Sequence, residues 1–176
     1  ILAASAKAGL TSERLDRDFP RLHELPFSSE KKYMATLHAQ GDGRRLCVKG
    51  APDRVLDFCT HVLVGGERVE LDESRRQEVR QANAELSGRA MRVIAGAYRE
   101  GLSGADAIRD EDATAGLTLA GLWGIVDPPR EEAARAVGDA QRAGIRVVMI
   151  TGDHAVTAAA IAQQVGIAPP GSQAVA

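Results

Sequence analysis

The chain has 176 residues, 44% hydrophobic and 26% charged, with a net charge of −2 and a pI near 6.1. This composition is typical of a globular protein with room for one good core, or one domain plus part of another. It predicts no nucleic-acid partner, because a nucleic-acid surface needs a clustered basic excess. The longest apolar runs are too short to span a bilayer, so this chain is not expected to enter a membrane.

Cys47 and Cys59 lack neighbours at metal-ligand spacing and are predicted to be free, buried thiols.

The N-terminal part is predicted to form a helix, an edge strand and a hairpin. An alanine-rich run over residues 1–8 predicts a short helix, and the charged residues 11–18 indicate a surface loop. Residues 19–27 contain two prolines and can form only an edge or irregular strand. Two β-compatible runs, residues 33–38 and 44–49, flank a Gln-Gly-Asp-Gly turn and predict a hairpin.

The next stretch predicts a helix, a second hairpin and another helix. Pro52 suits the first turn of a helix, because that position needs no N–H donor. Residues 61–64 and 67–71 flank a Gly-Gly turn and predict the second hairpin. Asp72 can cap the helix that follows, and Gly88 ends it.

Two strands separated by a loop are predicted after that helix. Residues 91–98 read as a strand, and residues 101–112 are polar and unpatterned, which favours a loop. Residues 117–126 read as a long strand that two prolines then end. Strict alternation along this strand would place Trp123 on the same face as Leu119.

The C-terminal part has the pattern of an α/β unit. Residues 131–143 predict an amphipathic helix, and residues 145–150 form a continuous apolar run typical of a strand buried in a parallel sheet. Residues 151–153, Thr-Gly-Asp, then turn into a helix that ends at Gly166. A strand, a glycine-bearing turn and a helix N-terminus together favour binding of an anion.

Two lysines at one end of the first hairpin are candidates for holding a negatively charged ligand. Lys32 begins the first strand and Lys49 ends the second, so the hairpin is expected to bring both ammonium groups together. Phe27 supplies an aromatic ring nearby. A nucleotide needs a π-face for its base and compact cations for its phosphates. The alternative is that these lysines are solvated side chains at strand ends.

Four segments resemble motifs of the P-type cation-transporting ATPases, in that family's order and over nearly the whole chain. Residues 27–32 resemble its Phe-Ser-x-x-x-Lys strand. Residues 49–53 resemble its Lys-Gly-Ala-Pro-Glu box, with Asp in place of the last Glu. Residues 127–130, Asp-Pro-Pro-Arg, resemble its hinge, and residues 149–154 resemble its Thr-Gly-Asp loop. The overall pattern is most similar to the calcium-pump branch.

The resemblance implies an α+β fold in two parts. Residues 1–126 would form the nucleotide-binding domain, an antiparallel sheet flanked by helices. Residues 127–176 would form the hinge and part of the phosphorylation domain, an α/β segment of haloacid-dehalogenase type. The implied nucleotide-binding residues are Phe27 (on adenine), Lys32, Lys49, Gly50, Arg92, Asp127 and Arg130. The residues implied to surround the transferred phosphoryl group and its Mg²⁺ are Thr151, Gly152 and Asp153.

The resemblance also implies which parts of the chemistry lie elsewhere. The family's Asp-Lys-Thr-Gly-Thr nucleophile motif, its Gly-Asp-Gly-x-Asn-Asp Mg²⁺ motif and its Gly-Asp-x-Thr-Glu adenine contact do not occur in this sequence. We therefore expect a fragment that binds ATP weakly, without turnover, and that has no catalytic or metal-ligating residue of its own.

The full-length protein would couple ATP hydrolysis, through an aspartyl phosphate, to cation transport across a membrane. The expected partners are ATP and the remaining domains of the same polypeptide, with this chain a cytoplasmic domain of an integral membrane protein. Calcium is the cation that the resemblance suggests. A haloacid-dehalogenase-like phosphatase and a non-enzymatic binding module remain alternatives.

Overall fold

The described strands form one seven-stranded sheet flanked by helices, in a computed structural model that covers residues 2–89, 91–102, 107–125, 130–151 and 155–172. The strands are β1 (Arg21–Ser28), β2 (Tyr33–Gln40), β3 (Gly43–Gly50), β4 (Cys59–Val64), β5 (Glu67–Glu70), β6 (Arg92–Leu102) and β7 (Leu117–Ile125). The helices are α1 (Leu2–Lys7), α2 (Ser12–Asp18), α3 (Pro52–Asp57), α4 (Glu73–Gly88), α5 (Asp110–Ala113), α6 (Glu131–Arg142) and α7 (Ala155–Gln164). The predicted α+β class is confirmed.

The order of the strands in the sheet is β1-β2-β3-β6-β7-β4-β5. Both predicted hairpins are present, and β1 lies at the edge of the described sheet beside β2, as expected for a strand that contains proline. The pairs β1–β2, β2–β3, β3–β6 and β4–β5 are antiparallel, whereas β4 and β7 run parallel. That pair departs from the predicted antiparallel pattern. A parallel pair is possible here because β5, α4 and β6 lie between the two strands and provide a long crossover.

One face of the sheet carries the hydrophobic core. Tyr33, Ala35 and Leu37 alternate into it from β2, and the ring of Tyr33 meets that of Phe58 edge-on at 5.2 Å between centroids. The largest fully buried side chains are Leu37, Leu46, Leu117, Leu119, Val55 and Cys59. Cys59 is a free thiol, as predicted, and burial raises its pKa to about 12. Because β2 and β3 place alternate residues on the other face, that second face remains available for a site.

The chain divides into two compact units. The first comprises Ile1–Arg80 and Ile94–Trp123, and the second comprises Gln81–Val93 and Gly124–Ala176. The first unit contains the core and most of the sheet. The predicted domain boundary after residue 126 falls in a stretch outside the described residues, so it stays a prediction.

Several predicted helix ends are present. The Asp72 carboxylate accepts a hydrogen bond from the backbone N–H of Arg75 at 2.9 Å, which is the expected N-terminal cap of α4. Gly144 takes a φ of 75° just after α6, and the N–H of Ile145 bonds to the carbonyl of Ala140 at 2.9 Å. A left-handed glycine with such a bond is a common helix ending.

Two of the predicted loops contain short helices. Residues 12–18 form α2, which Thr11 caps by accepting from the N–H of Arg14 at 3.3 Å. Its charged side chains all lie at the surface, and this polar composition is what predicts a loop from sequence. In the second loop, α5 begins after Arg109, whose N–H donates to the Asp112 carboxylate at 2.9 Å. Neither helix carries the wide apolar stripe by which longer helices are recognised in a sequence, so the polar composition favours a loop at both places.

The predicted strand at residues 145–150 was wrong. These residues are described but pair with no strand, and Ile145, Val148 and Ile150 are 59%, 66% and 94% exposed. A buried parallel strand needs a hydrogen-bonded neighbour on each side. Among the described residues of this chain, no neighbouring strand pairs with this run, and its apolar side chains at positions 145, 148 and 150 stay exposed.

Candidate functional site

The end of the β2–β3 hairpin brings the two predicted lysines close together in the backbone. Tyr33 pairs with Gly50 and Met34 pairs with Lys49, so Lys32 lies one residue beyond the ladder. Lys32 has a φ of 60°, and its carbonyl accepts the N–H of Ala51 at 2.9 Å. That bond ties the loop before β2 to the start of α3. Both lysine side chains are exposed, and only that of Lys49 lines the groove described below.

Gly50 is needed for this arrangement. A Cβ atom at this position would lie 2.4 Å from the carbonyl oxygen of Lys32 and 2.7 Å from the Cβ of Tyr33. These distances are far below van der Waals contact, and the first atom belongs to the backbone. Any larger residue would therefore push the Lys32 loop away from β3.

A groove of about 580 Å³ lies on the face of the sheet away from the core. The groove is lined by Met34, Thr36, Cys47, Lys49, Tyr98 and Trp123, among others. Cavities of this size are typical of small-molecule sites. The alternation that buries Tyr33, Ala35 and Leu37 is what turns Met34 and Thr36 toward the groove. Burial raises the pKa of the Cys47 thiol, which keeps it protonated there.

The charges in the groove leave one cation available. Its charged lining residues are Arg21, Arg45, Lys49 and Glu100. Arg45 forms an ion pair with Glu100, and its guanidinium lies 5.7 Å from the ring centre of Tyr98. Arg21 pairs with Glu24 at 2.6 Å. Within the described parts of the chain, Lys49 has no carboxylate partner, so its ammonium is free to meet an anion.

Trp123 was not predicted to reach this groove. Leu117 and Leu119 are buried in the core, whereas Ala120 and Trp123 line the groove and Leu122 packs against the core. The alternation therefore shifts by one residue between positions 119 and 122. Gly121 has a φ of 153°, a conformation that favours glycine, and it lies where the shift occurs. The glycine was the sequence signal for this change of face.

Lys31 is held away from the groove by a separate cluster. Its ammonium lies 2.5 Å from Oδ2 of Asp110, and the hydroxyl of Tyr33 donates to Oδ1 at 2.8 Å. The hydrogen bonds from Lys31 and Tyr33 hold the pKa of Asp110 below its ordinary value. Burial and the bond to Asp110 raise the pKa of Tyr33 to about 12. This cluster ties the loop before β2 to the start of α5.

The Asp110 cluster predicts a dependence of stability on pH. Because the pKa of Asp110 is lower in the folded chain than in the unfolded chain, its stabilisation is present above about pH 4 and is lost as the pH falls below that value. Urea denaturation at neutral pH should show Asp110→Asn to be less stable than the wild type. The difference should shrink in acid.

Glu111→Gln is the matched control for that prediction. It removes a carboxylate from the same turn without touching Lys31 or Tyr33, so its effect at neutral pH should be smaller. A stability difference between Asp110→Asn and the wild type that stays constant from neutral to acidic pH would contradict the role given to Asp110.

Phe27 lies at the edge of the sheet. It is 62% exposed and occupies a bulge in β1, where two residues stand opposite Met34, between the pairs Leu25–Ala35 and Ser28–Tyr33. It does not line the groove. Met34 is therefore the cross-strand neighbour of both the Phe27 bulge and Lys49.

The remaining predicted residues belong to the second unit or lie outside the described residues. Arg92 is exposed at the start of β6, Arg130 is exposed at the N-cap of α6, and Thr151 is exposed. Asp127, Gly152 and Asp153 fall outside the described residues. No helix in the described ranges is long and apolar enough to cross a membrane. In those ranges, no three His, Cys, Asp or Glu side chains group in a way that could hold a metal ion.

Residues 1–132 match the family described as "P-type ATPase, cytoplasmic domain N". The chain belongs to this family. A cation-transporting ATPase of Synechocystis is 42% identical over 172 residues, which are 97% of this chain and 19% of that protein. A probable cation-transporting ATPase of Mycobacterium tuberculosis is 43% identical over 168 residues, 95% of this chain and 18% of that protein. A calcium-transporting ATPase of Bacillus cereus is 37% identical over 169 residues, 96% of this chain and 19% of that protein.

The predicted resemblance to P-type cation-transporting ATPases is thus confirmed over nearly the whole chain. The chain spans about a fifth of the length of these relatives. The family match also covers all the strands of the sheet and therefore every residue named above as lining the groove.

Proposed function

We propose that this chain is the ATP-holding part of a P-type ATPase that couples ATP hydrolysis, through an aspartyl phosphate, to cation transport across a membrane. The observation that carries the proposal is the ammonium of Lys49, which lines the groove and has no carboxylate partner among the described residues. The chain would act within a longer polypeptide, as a cytoplasmic domain of an integral membrane protein. Its relatives, about five times as long, support this view.

The groove suits a nucleotide in size and in charge. A volume of about 580 Å³ accommodates a ligand of this class, and Lys49 is a point charge that can bind phosphate. We assign Lys32 and Gly50 to the edge of this site and Phe27 to the adenine. The backbone supports this grouping, because the Lys32 carbonyl occupies the space beside Gly50 where a side chain would lie, and the bulge containing Phe27 stands opposite Met34.

The other assigned residues would act on the phosphate side of the nucleotide. We assign Arg92, Asp127 and Arg130 to contacts with bound ATP, and Thr151, Gly152 and Asp153 to the region around the transferred phosphoryl group. The support for the last five is their place in the Asp-Pro-Pro-Arg and Thr-Gly-Asp motifs, and the support for Arg92 is the role that the family resemblance implies for it. Calcium is our proposal for the transported cation, which is consistent with the calcium-transporting relative at 37% identity.

Mg²⁺ would bind together with the triphosphate. Among the described residues that line the groove, Glu100 is the one carboxylate, and it is paired with Arg45. This donor set does not fit a resident Mg²⁺, which prefers carboxylates with free oxygens. We therefore assign no metal ligand to the groove.

This proposal predicts ATP binding without turnover. The nucleophile motif Asp-Lys-Thr-Gly-Thr does not occur in the 176 residues, so no aspartyl phosphate should form on them. Isothermal titration of the chain with MgATP should show binding in the sub-millimolar range or weaker. A phosphate-release assay on the same sample should remain at the buffer rate.

Different results would support the alternatives. The absence of ATP binding would favour a non-enzymatic binding module. Phosphate release from a phosphomonoester would favour a haloacid-dehalogenase-like phosphatase. Robust ATP hydrolysis by the purified chain would contradict the proposal that the chain binds ATP without hydrolysing it.

A further inference from the structure

We propose that Trp123 forms a second aromatic wall of the nucleotide site and gives the groove a preference for purine bases. This inference rests on the proposed ATP binding and adds to it a residue that no motif marks. It follows from the contact of Trp123 with Gly96, the register of β3 with β6, and the side of the sheet that the indole occupies.

The indole of Trp123 lies directly against the backbone of β6. A Cβ atom at Gly96 would stand 2.3 Å from Cζ3 of Trp123 and 2.6 Å from Cη2. Only glycine leaves room for the six-membered ring at this distance. The ring therefore fills the place that a side chain at position 96 would otherwise occupy.

That place is beside Lys49. Lys49 and Gly96 are paired residues of β3 and β6, and paired residues point their Cβ atoms to the same face, about 5 Å apart. The indole and the stem of Lys49 are thus neighbours on the groove face. This arrangement provides a π-face for a base and a cation for a phosphate.

Packing in the core does not account for Trp123. The core residues of β7 are Leu117 and Leu119, on the opposite face of the sheet. The one-residue shift in alternation at Gly121 places Trp123 on the groove face instead of in that core. There its side chain is partly exposed. A large ring on a partly open wall is a surface on which a base can stack.

The two aromatic residues mark opposite ends of one row across the sheet. The row contains Phe27 in β1, Met34 in β2, Lys49 in β3 and Gly96 in β6, with the indole over Gly96. At the usual strand spacing the outer two backbones are about 14 Å apart. Met34 and Lys49 form the floor between them. A base that stacks on the indole can meet Phe27 only with its far edge, so a purine, whose two fused rings cover more of the indole and reach farther, should gain more from this wall than a pyrimidine.

Trp123 is the single tryptophan of the chain, so its fluorescence reports on this wall directly. The emission would be excited at the red edge of the indole band, where adenine does not absorb. ATP and adenosine should quench it with saturation, whereas inorganic tripolyphosphate, which has no base, should leave it unchanged. Quenching by tripolyphosphate as strong as that by ATP would overturn the stacking role.

Two substitutions test the energetic role by calorimetry. Trp123→Leu keeps Gly96 covered but removes the π-face, and should weaken ATP binding about tenfold, the scale of one stacking contact. It should also abolish the preference for ATP over CTP. Trp123→Phe keeps a ring, and should stay within about threefold of the wild type. It also keeps the test decisive if the leucine variant does not fold.

The outcomes separate this inference from the proposed function. If the wild type binds ATP while its fluorescence does not change and Trp123→Leu binds equally well, Trp123 is not part of the site and the ATP proposal stands. If calorimetry detects no ATP binding to the wild type, both proposals are wrong.

Discussion

Replacement of Gly50 by alanine is expected to lower the free energy of unfolding by about 2–3 kcal/mol, the upper range for inserting a methyl group into a tight contact. The added Cβ would lie 2.4 Å from the carbonyl oxygen of Lys32 and 2.7 Å from the Cβ of Tyr33. Neither neighbour is the flexible end of a side chain. Relief of the clash requires the Lys32 loop to move away from β3, which breaks the bond from Ala51 to Lys32. Urea denaturation of the variant and the wild type measures this loss.

Gly43→Ala is the matched control on the same strand. A Cβ atom there would meet only the carbonyl oxygen of Gln40, at an ordinary 3.6 Å. Its effect should stay within about 0.5 kcal/mol of the wild type, as for most surface substitutions. Equal losses for the two alanine variants would mean that chain flexibility, and not the close approach at Gly50, sets the cost.

Replacement of Lys49 by alanine is expected to weaken ATP binding by about 1.5–3 kcal/mol, or roughly 10- to 150-fold, the range for a hydrogen bond to a charged group. The reason is that the other cations of the groove, Arg21 and Arg45, already pair with Glu24 and Glu100. Among the described residues that line the groove, Lys49 is the one cation with no carboxylate partner. Lys49→Ala therefore removes the charge that is available to a phosphate. Calorimetric titration with MgATP measures the loss.

Lys49→Arg and Lys7→Ala are the controls for that experiment. Arginine keeps the positive charge and also forms charge-assisted hydrogen bonds to phosphate, so Lys49→Arg should retain most of the affinity. Lys7 is an exposed lysine of α1 outside the groove lining, and its loss should change the affinity little. A loss for Lys7→Ala as large as that for Lys49→Ala would indicate a general effect of net charge rather than a contact in the groove.

The features that could be predicted from sequence depend on local signals. The β2–β3 hairpin follows from alternating residues around a glycine turn, and the α4 cap follows from Asp72. Both form through contacts between residues close in the chain. The position of Lys49 on the groove face could also be anticipated, because it follows from the same alternation as Met34.

The features that could not be predicted depend on partners far along the chain or on a shift in which residues of a strand face the core. Strict alternation places Trp123 with Leu119, and only the conformation of Gly121 moves it to the other face. The groove joins residues of the β2–β3 hairpin to residues of β6 and β7, and β3 lies beside β6 in the sheet although β4 and β5 separate them in sequence. The apolar run at residues 145–150 looked like a strand because composition does not reveal whether pairing partners are present.

The two cysteines determine how the chain reacts with thiol reagents. The thiolate is the form that attacks a maleimide or a disulfide, and burial raises the pKa of both Cys47 and Cys59. Neither thiol is therefore a fast nucleophile near neutral pH, although Cys47 lines the groove. A cysteine introduced at an exposed position would react first. A spectroscopic label can thus be attached there while both native cysteines are kept.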